Sequence, residues 1–227
     1  IAVGGGSVID MAKLINVGQS AHENIKEIIL NNIELTSPCK KLLVIPTTSG
    51  AGSEATHFAV VYINSKKYSL AHKYHLLPDV VFLSSFLTHS TNAYQTAVSG
   101  ADAFSQSIES YWSINSNKES KEYSAEALKL IINNLPKAVN NNCKEAKKKM
   151  MLAAYLAGKA INITKTTGAH AMAYIFTTKF NIPHGHAVAL TIHEWFRYNN
   201  DIKNNDVLDI RGIKYIRKTM NELSQSI

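Results

Sequence analysis

The chain has 227 residues, of which 45% are hydrophobic and 18% charged, an ordinary balance for a globular protein of one large or two small domains. No apolar run is long enough to span a bilayer, and no secretory signal is expected because glycines and Asp10 interrupt the apolar N-terminal stretch. The net charge of +7 comes from dispersed lysines, without the basic stripe of a nucleic-acid-binding protein. With two cysteines and no disulfide framework, a cytoplasmic location is predicted.

The first part of the chain shows alternating strand and helix patterns. A buried strand over residues 1–3 runs into a glycine turn, and Ser7 is placed to cap a helix over 8–17. A short helix over 23–30 follows. Further strands are predicted over 42–46, 58–63 and 80–83, and the first of these has the apolar character of a parallel strand. This half is therefore predicted to be α/β.

From about residue 91 the pattern becomes helical throughout. Helices are predicted over 91–115, 118–133, 143–165, 168–178, 187–198 and 206–223, with Pro136 and Pro183 as interruptions. We predict an α/β domain over 1–88 and an all-α domain over 89–227, with a cleft between them as the place for a site. The chain starts without methionine and ends within a helical pattern, so we expect an internal fragment, with the N-terminal part of the first domain and the C-terminal part of the second missing.

Two loops in the first half are typical of nucleotide binding. The turn Gly4-Gly5-Gly6-Ser7 stands between a strand and a helix, where backbone N–H groups and a helix N-terminus favour a phosphate. A second loop, TTSGAGSE, follows the strand over 42–46 and supplies hydroxyls at Thr47, Thr48 and Ser53. The alternatives are a plain tight turn and a flexible surface loop.

Four candidate metal ligands lie in the helical half. Asp102 and Gln106 are four residues apart and share one side of a helix, and His170 and His184 follow fourteen apart. A carboxylate and two imidazoles suit iron or zinc. A nucleotide loop followed by a metal site points to hydride transfer beside a Lewis acid.

These motifs together resemble the iron-containing (group III) alcohol dehydrogenases, relatives of dehydroquinate synthase and glycerol dehydrogenase. The motifs GGGSVIDMAK, IPTTSGAGSE, KYSLAHKYHLLPDVVF, GADAFSQSIESYWS and a histidine pair ending in PHG occur in family order. The resemblance implies an incomplete Rossmann-like nucleotide-binding domain followed by a helical metal-binding domain, as in dehydroquinate synthase-like folds. It implies NAD or NADP and a divalent metal as cofactors, an aldehyde or alcohol substrate, and a homo-oligomer.

The resemblance also implies roles for individual residues. The metal ligands would be Asp102, His170 and His184, which would also be the catalytic residues, with Gln106 where the family usually has histidine. Tyr174 replaces another familiar histidine, and Tyr174 or His186 is a candidate for the proton path. Pyrophosphate contacts would come from the glycine turn, nucleotide contacts from the threonine loop, and a ribose contact from Lys67. The cofactor-binding candidates are Gly4, Gly5, Gly6, Ser7, Asp10, Thr47, Thr48, Ser53 and Lys67.

The segments GKAINITKTT and PHGHAVALT are similar to the corresponding segments of the phosphonoacetaldehyde reductase branch of the family. That branch reduces phosphonoacetaldehyde to 2-hydroxyethylphosphonate. Lysine and hydroxyl or amide side chains near His170 could hold a phosphonate, and the substrate candidates are Lys159, Asn162, Lys165 and Thr166. Lys159, Asn162, Thr166 and His170 would share one face if a single helix ran through the segment. The alternative places both lysines on a solvated surface.

Three other functions stay open on the sequence. The first is a general short-chain alcohol dehydrogenase of the same family. The second is a non-redox, dehydroquinate-synthase-like cyclase. The third is a catalytically silent nucleotide-binding protein, favoured by Gln106 at a ligand position, since an amide offers only a neutral oxygen.

Overall fold

Strands and helices alternate in the first part of the chain, and long helices form the rest. The computed structural model describes residues 1–21, 24–31, 33, 35, 39–64, 66–203 and 206–227. All described strands lie before residue 82. The six α-helices of the second part lie between residues 93 and 226. This order agrees with the predicted fold class, α/β followed by all-α.

A small parallel sheet forms the base of the first part. Its strands β1 (Ala2–Gly4), β2 (Leu43–Pro46) and β5 (Val80–Val81) lie in the order β1-β2-β5. Helices α1 (Gly6–Ala21) and α2 (Ile25–Asn31) connect β1 to β2. Apolar side chains of β1, α1 and β2 pack together, which holds the first turn of α1 beside the sheet. The loops that follow β1 and β2 therefore emerge at the same sheet edge.

An antiparallel hairpin covers the other side of α1. It consists of β3 (Phe58–Ile63), which the sequence pattern predicts, and β4 (Lys66–Ala71), which was not predicted. Asn64 begins the connection with a φ of 50°, a left-handed conformation that asparagine tolerates; Ser65 lies outside the described residues. Buried Leu14 and Val17 of α1 contact buried Ala59 and Leu70 of the hairpin.

The helical part is built around two apolar clusters. Its helices are α3 (Ala93–Trp112), α4 (Lys118–Asn140), α5 (Lys144–Thr164), α6 (Gly168–Phe180), α7 (His184–Asn200) and α8 (Gly212–Ser226). One cluster joins α3, α4 and α5, largely through alanines that allow close approach. The other joins α3 and α4 to α6, α7 and α8. Helix α3 takes part in both clusters, so its side chains can meet residues from most of this part.

Among the contacts that join the helical part to the first part, two come from buried residues of α5. The buried ammonium of Lys147 on α5 donates to the carbonyl oxygens of Thr88 and Thr91, each at 2.9 Å. The second contact is between Gly52 and Gly158, where a Cβ added at Gly52 would lie 2.6 Å from the Cα of Gly158. Because Gly52 also has a φ of 67°, glycine is required there both by the conformation and by the close approach. A domain boundary between residues 88 and 89 stays a prediction.

Several predicted boundaries are wrong. Helix α1 begins at Gly6, so Ser7 lies in its first turn and is not its cap. Pro136 lies inside α4, which continues to Asn140. Helix α7 begins at His184, three residues before the predicted start at residue 187. The helix predicted to end at 165 stops at Thr164, Lys165 adopts a φ of 61°, and α6 starts at Gly168. Glu23, the predicted start of the second helix, lies outside the described residues.

Among the residues that the structure describes, no helix combines the length and apolar character that a membrane crossing requires.

Candidate metal and nucleotide site

Three side chains from three helices meet at one buried point. One ligand atom each of Asp102 (α3), His170 (α6) and His184 (α7) lies within 4.8 Å of the other two. The Nε2 of His170 is 3.2 Å from the Oδ1 of Asp102, and the two imidazole rings stand edge to face with centroids 5.4 Å apart. Asp102 and His170 are buried. Spacing and donor types are those of a site that could hold a divalent transition metal.

Local packing explains why these atoms converge. Gly185 allows the start of α7 to lie directly against α3. A Cβ added at this position would lie 2.2 Å from the carbonyl oxygen of Val98 and 3.0 Å from the Cβ of Asp102. The glycine after His184 thereby allows that histidine to reach Asp102. The Nδ1 of His184 is buried and has no hydrogen-bond partner among the described residues. A buried nitrogen without a partner is costly unless a ligand uses the side chain, so the donor set fits a metal.

Glu109 holds His170 in place. It lies two turns after Asp102 on α3, is fully buried, and contacts the Nδ1 of His170 with its Oε2. Its Oε1 accepts from the backbone N–H groups of Thr167 and Ala169, at 3.1 and 2.9 Å, and from the Thr167 hydroxyl at 2.7 Å. A carboxylate on Nδ1 fixes the ring so that Nε2 faces Asp102.

The charges of the site depend on these contacts. Burial alone would lower the pKa of His170, but hydrogen bonds to Asp102 and Glu109 raise it to about 9. Burial would raise the pKa of Asp102, yet the hydrogen bond with His170 and the nearby His184 hold it below its usual value. The pKa of His184 is lowered, chiefly by burial. Asp102 and Glu109 thus surround His170 with negative charge, at the point where a cation would bind.

Gln106 lies beside the same carboxylate. Its Nε2 donates to the Oδ1 of Asp102 and to the carbonyl oxygen of Ala51, both at 3.2 Å, and its buried Oε1 has no partner among the described residues. The structure therefore brings all four predicted ligands together. Which of them bind a metal stays a prediction.

The two predicted nucleotide loops are adjacent. The backbone N–H of Thr47 donates to the carbonyl oxygen of Gly4 at 3.0 Å. A Cβ added at Gly5 would lie 3.3 Å from the Thr48 side chain, and one at Gly6 would lie 2.5 Å from the Cβ of Ala51. Only glycines allow this approach, which leaves the backbone of the turn and the N-terminus of α1 beside the threonine loop. This arrangement can accept a phosphate group.

Two buried charges join α1 to the start of the hairpin. Asp10 accepts from the backbone N–H of Val60 at 3.0 Å and lies 3.9 Å from the Nζ of Lys13. The fully buried Lys13 donates to the carbonyl oxygens of Thr56 and Phe58, at 2.8 and 2.9 Å. Asp10, predicted to contact the cofactor, thus holds the hairpin against α1, and Ser53 is buried within the threonine loop.

Lys67 of the hairpin contacts Tyr174 of α6. The Nζ of Lys67 lies 3.6 Å from the centroid of the Tyr174 ring, a cation–π contact. Burial lowers the pKa of Lys67 to about 8, while Asp102 and Asp10 oppose that change. Lys67 therefore belongs to the surroundings of the metal-ligand set. His186 is exposed and contacts the Tyr94 hydroxyl through its Nδ1 at 3.1 Å.

The predicted substrate residues are not gathered around the metal-ligand set. Lys159 lies over the Tyr123 ring of α4, 4.1 Å from its centroid. The Oδ1 of Asn162 accepts from the backbone N–H and the Nδ1 of His57, at 2.7 and 2.5 Å. Lys165 is exposed and Thr166 half-buried in the break between α5 and α6. Because the helix ends at Thr164, the expected common face with His170 does not form.

Comparison with known proteins agrees with this geometry. Residues 1–85 match the family profile described as "Iron-containing alcohol dehydrogenase", and residues 96–224 match the profile described as "Fe-containing alcohol dehydrogenase family, C-terminal". The second match alone covers more than half of the chain.

The chain belongs to the iron-containing alcohol dehydrogenase family. It is 38% identical over 196 residues to Long-chain-alcohol dehydrogenase 1 of Geobacillus thermodenitrificans, covering 85% of this chain and 49% of that protein. It is 30% identical over 234 residues to Phosphonoacetaldehyde reductase of Streptomyces viridochromogenes, covering 99% and 59% respectively. The chain thus spans about half the length of the curated relatives it matches.

Solved structures of the family have the same fold. The crystal structure of sulfoacetaldehyde reductase from Bifidobacterium kashiwanohense in complex with NAD+ superposes with a TM-score of 0.84 at 29% identity, covering 99% of this chain and 62% of that one. The predicted resemblance to the iron-containing family is confirmed.

Proposed function

We propose that this chain carries the nucleotide-binding and metal-binding parts of an NAD(P)-dependent alcohol dehydrogenase acting as an aldehyde reductase. The observation that carries the proposal is the buried convergence of Asp102, His170 and His184 next to the loop over residues 47–53. The link is direct, because Gln106 hydrogen-bonds both Asp102 and Ala51 of that loop.

Each group has a definite task in this proposal. Asp102, His170 and His184 hold the metal, and Glu109 keeps the proton of His170 on Nδ1 so that Nε2 is free to ligate. The glycine turn and the N-terminus of α1 bind the pyrophosphate of the dinucleotide. When bound, the metal supplies Lewis acidity toward a carbonyl oxygen and the reduced dinucleotide supplies the hydride.

Two groups near the metal-ligand set can handle a proton or a ribose. Lys67 stands over Tyr174, and its ammonium is the group proposed to contact the nicotinamide ribose. Tyr174 lies one turn after His170 on α6, on the same side of that helix, and is a better placed proton donor than the exposed His186.

A small aldehyde with an anionic group, phosphonoacetaldehyde in particular, is the substrate we propose. Support comes from two relatives, whose names specify a phosphonate and a sulfonate aldehyde. The ammonium of Lys67 near the metal-ligand set is compatible with such a substrate. The alternative is an uncharged alcohol or aldehyde, favoured by the 38% identical long-chain-alcohol dehydrogenase and by Lys159 contacting Tyr123.

The experiment is a comparison of kcat/KM for phosphonoacetaldehyde and propanal, with NADH and with NADPH. The intact protein is stripped of metal and then supplied with iron or zinc. We expect metal-dependent oxidation of the dinucleotide and a preference for the phosphonate. Activity on propanal alone would keep the dehydrogenase and reject the phosphonate. No oxidation with either aldehyde would reject the reductase in favour of a non-redox or catalytically silent relative.

The choice between NAD and NADP and between iron and zinc, the cytoplasmic location and the homo-oligomer stay predictions.

A further inference from the structure

One side chain connects the threonine loop over residues 47–53 to the metal-ligand set. We propose that Gln106 is a positioning residue that couples this loop to the carboxylate of Asp102 and is not itself a metal ligand. The inference rests on the metal- and nucleotide-dependent function proposed above. It concerns a position at which this chain departs from the histidine usual in its family.

The hydrogen bonds of Gln106 determine which way its amide faces. Its Nε2 has two hydrogens and two acceptors, the carbonyl oxygen of Ala51 and the Oδ1 of Asp102, each at 3.2 Å. The reverse orientation would set the amide oxygen against both of these acceptor oxygens, which repel it. The amide therefore presents its NH2 group, which cannot ligate a cation, to Asp102.

The other end of the amide faces the loop. A Cβ added at Gly52 would lie 3.4 Å from the Oε1 of Gln106 and 2.6 Å from the Cα of Gly158. Gly52 has no Cβ and packs closely against Gly158, which leaves the amide of Gln106 beside the backbone of the loop. Gln106 is only 3% exposed, and its Oε1 has no hydrogen-bond partner among the described residues.

Gln106 therefore connects the threonine loop to the carboxylate of Asp102 through hydrogen bonds. Asp102 receives hydrogen bonds through the same Oδ1 from Gln106 and His170, so the position of that oxygen depends on both. Gln106 in turn depends on the backbone of Ala51, within the loop proposed to bind the nucleotide. A nucleotide that orders the loop would therefore also fix the position of Asp102, through the side chain of Gln106. The conformation of the loop depends on Gln106 even when no metal is bound.

The first test measures NADH binding by the intact, metal-stripped protein, with energy transfer from tryptophan as the signal. The apolar substitutions Gln106→Met and Gln106→Leu remove the NH2 donor. Each should weaken NADH binding about two- to tenfold, the effect of losing one hydrogen bond. The matched control is Ser107→Ala, which deletes a buried hydrogen bond within α3, to the carbonyl oxygen of Ala103, and should leave NADH affinity unchanged. Melting temperatures verify that all variants are folded.

The second test uses the visible spectrum of the cobalt(II)-loaded protein, which reports the number and kind of ligands. Gln106→Met should bind cobalt more weakly but with the band positions and intensities of the wild type. A changed spectrum would identify Gln106 as a ligand and overturn the proposal. Unaltered metal-free NADH affinity in both Gln106 variants would also overturn it. Failure of aldehyde turnover would count against the proposed function alone, since neither readout needs turnover.

Discussion

Glu109 provides the most detailed prediction, because five groups depend on its carboxylate. Replacing it with alanine leaves four N–H groups without an acceptor, the backbone groups of Thr167, Ala169 and His170 and the Nδ1 of His170, besides the Thr167 hydroxyl. At about 1 kcal/mol for each N–H group, the free energy of unfolding of the metal-free protein should fall by about 4 kcal/mol. Urea unfolding measures this loss.

Glu109→Gln separates the electrostatic role from the packing role. A glutamine oxygen can still accept from Thr167 and Ala169, but its NH2 group then faces the Nδ1 of His170. The imidazole must move its proton to Nε2, the nitrogen that faces Asp102, and metal binding becomes unfavourable. Metal affinity should fall about 10- to 100-fold with a small change in stability. Zinc competition against a chromophoric chelator measures the affinity.

The exposed Glu122 supplies the control, since its contact is with the surface Lys118 at 3.9 Å. Glu122→Gln should leave both zinc affinity and stability unchanged. If Glu109→Gln bound zinc as tightly as the wild type, the claim that Glu109 sets the tautomer of His170 would be refuted.

Three more predictions concern other buried groups. Lys147→Met leaves the carbonyl oxygens of Thr88 and Thr91 without a donor and should lower the free energy of unfolding by about 2–4 kcal/mol. Lys148→Met, on the exposed side of the helix, should leave it unchanged, and urea unfolding measures both variants. Burial raises the pKa of Glu54 from 4.5 to about 7, so between these values the folded chain keeps a proton that the unfolded chain has released. Stability should therefore fall by about 3 kcal/mol as pH rises from 4.5 to 7, and Glu54→Gln should remove this slope. Gly158→Ala should destabilise by about 1–3 kcal/mol, because its Cβ would lie 2.7 Å from the carbonyl oxygen of Gly52.

The last of these reverses the ordinary expectation. A glycine in a helix interior normally gains about 0.5–1 kcal/mol of stability on replacement by alanine. A gain at Gly158 would contradict the close contact with Gly52, and a wild-type pH slope in Glu54→Gln would contradict a buried, protonated Glu54.

Local signals were sufficient for much of the fold. The strand over 58–63 was predicted with its observed bounds, since its β-branched and aromatic residues end at an asparagine that accepts a left-handed turn. The apolar strand before the threonine loop was predicted to be parallel and is. The meeting of Asp102, His170 and His184 was expected because all three lie in motifs of the resembled family.

The failures have physical causes outside local sequence. Lys165 takes a left-handed φ that non-glycine residues seldom adopt, which ends α5 and breaks the expected common face of Lys159 and His170. Pro136 is tolerated within α4 although proline usually ends a helix. Glu109 was missed even though it lies seven residues after Asp102, on the same side of α3, because its role arises only when α6 packs there.

The most direct test of the account is a metal titration of the stripped, intact protein, with NADH oxidation in the presence of an aldehyde as the readout. We expect no oxidation without metal, a rise that saturates at a single equivalent of iron or zinc, and no rise in His184→Ala. Full activity in the metal-free protein, or an undiminished rise in His184→Ala, would contradict it.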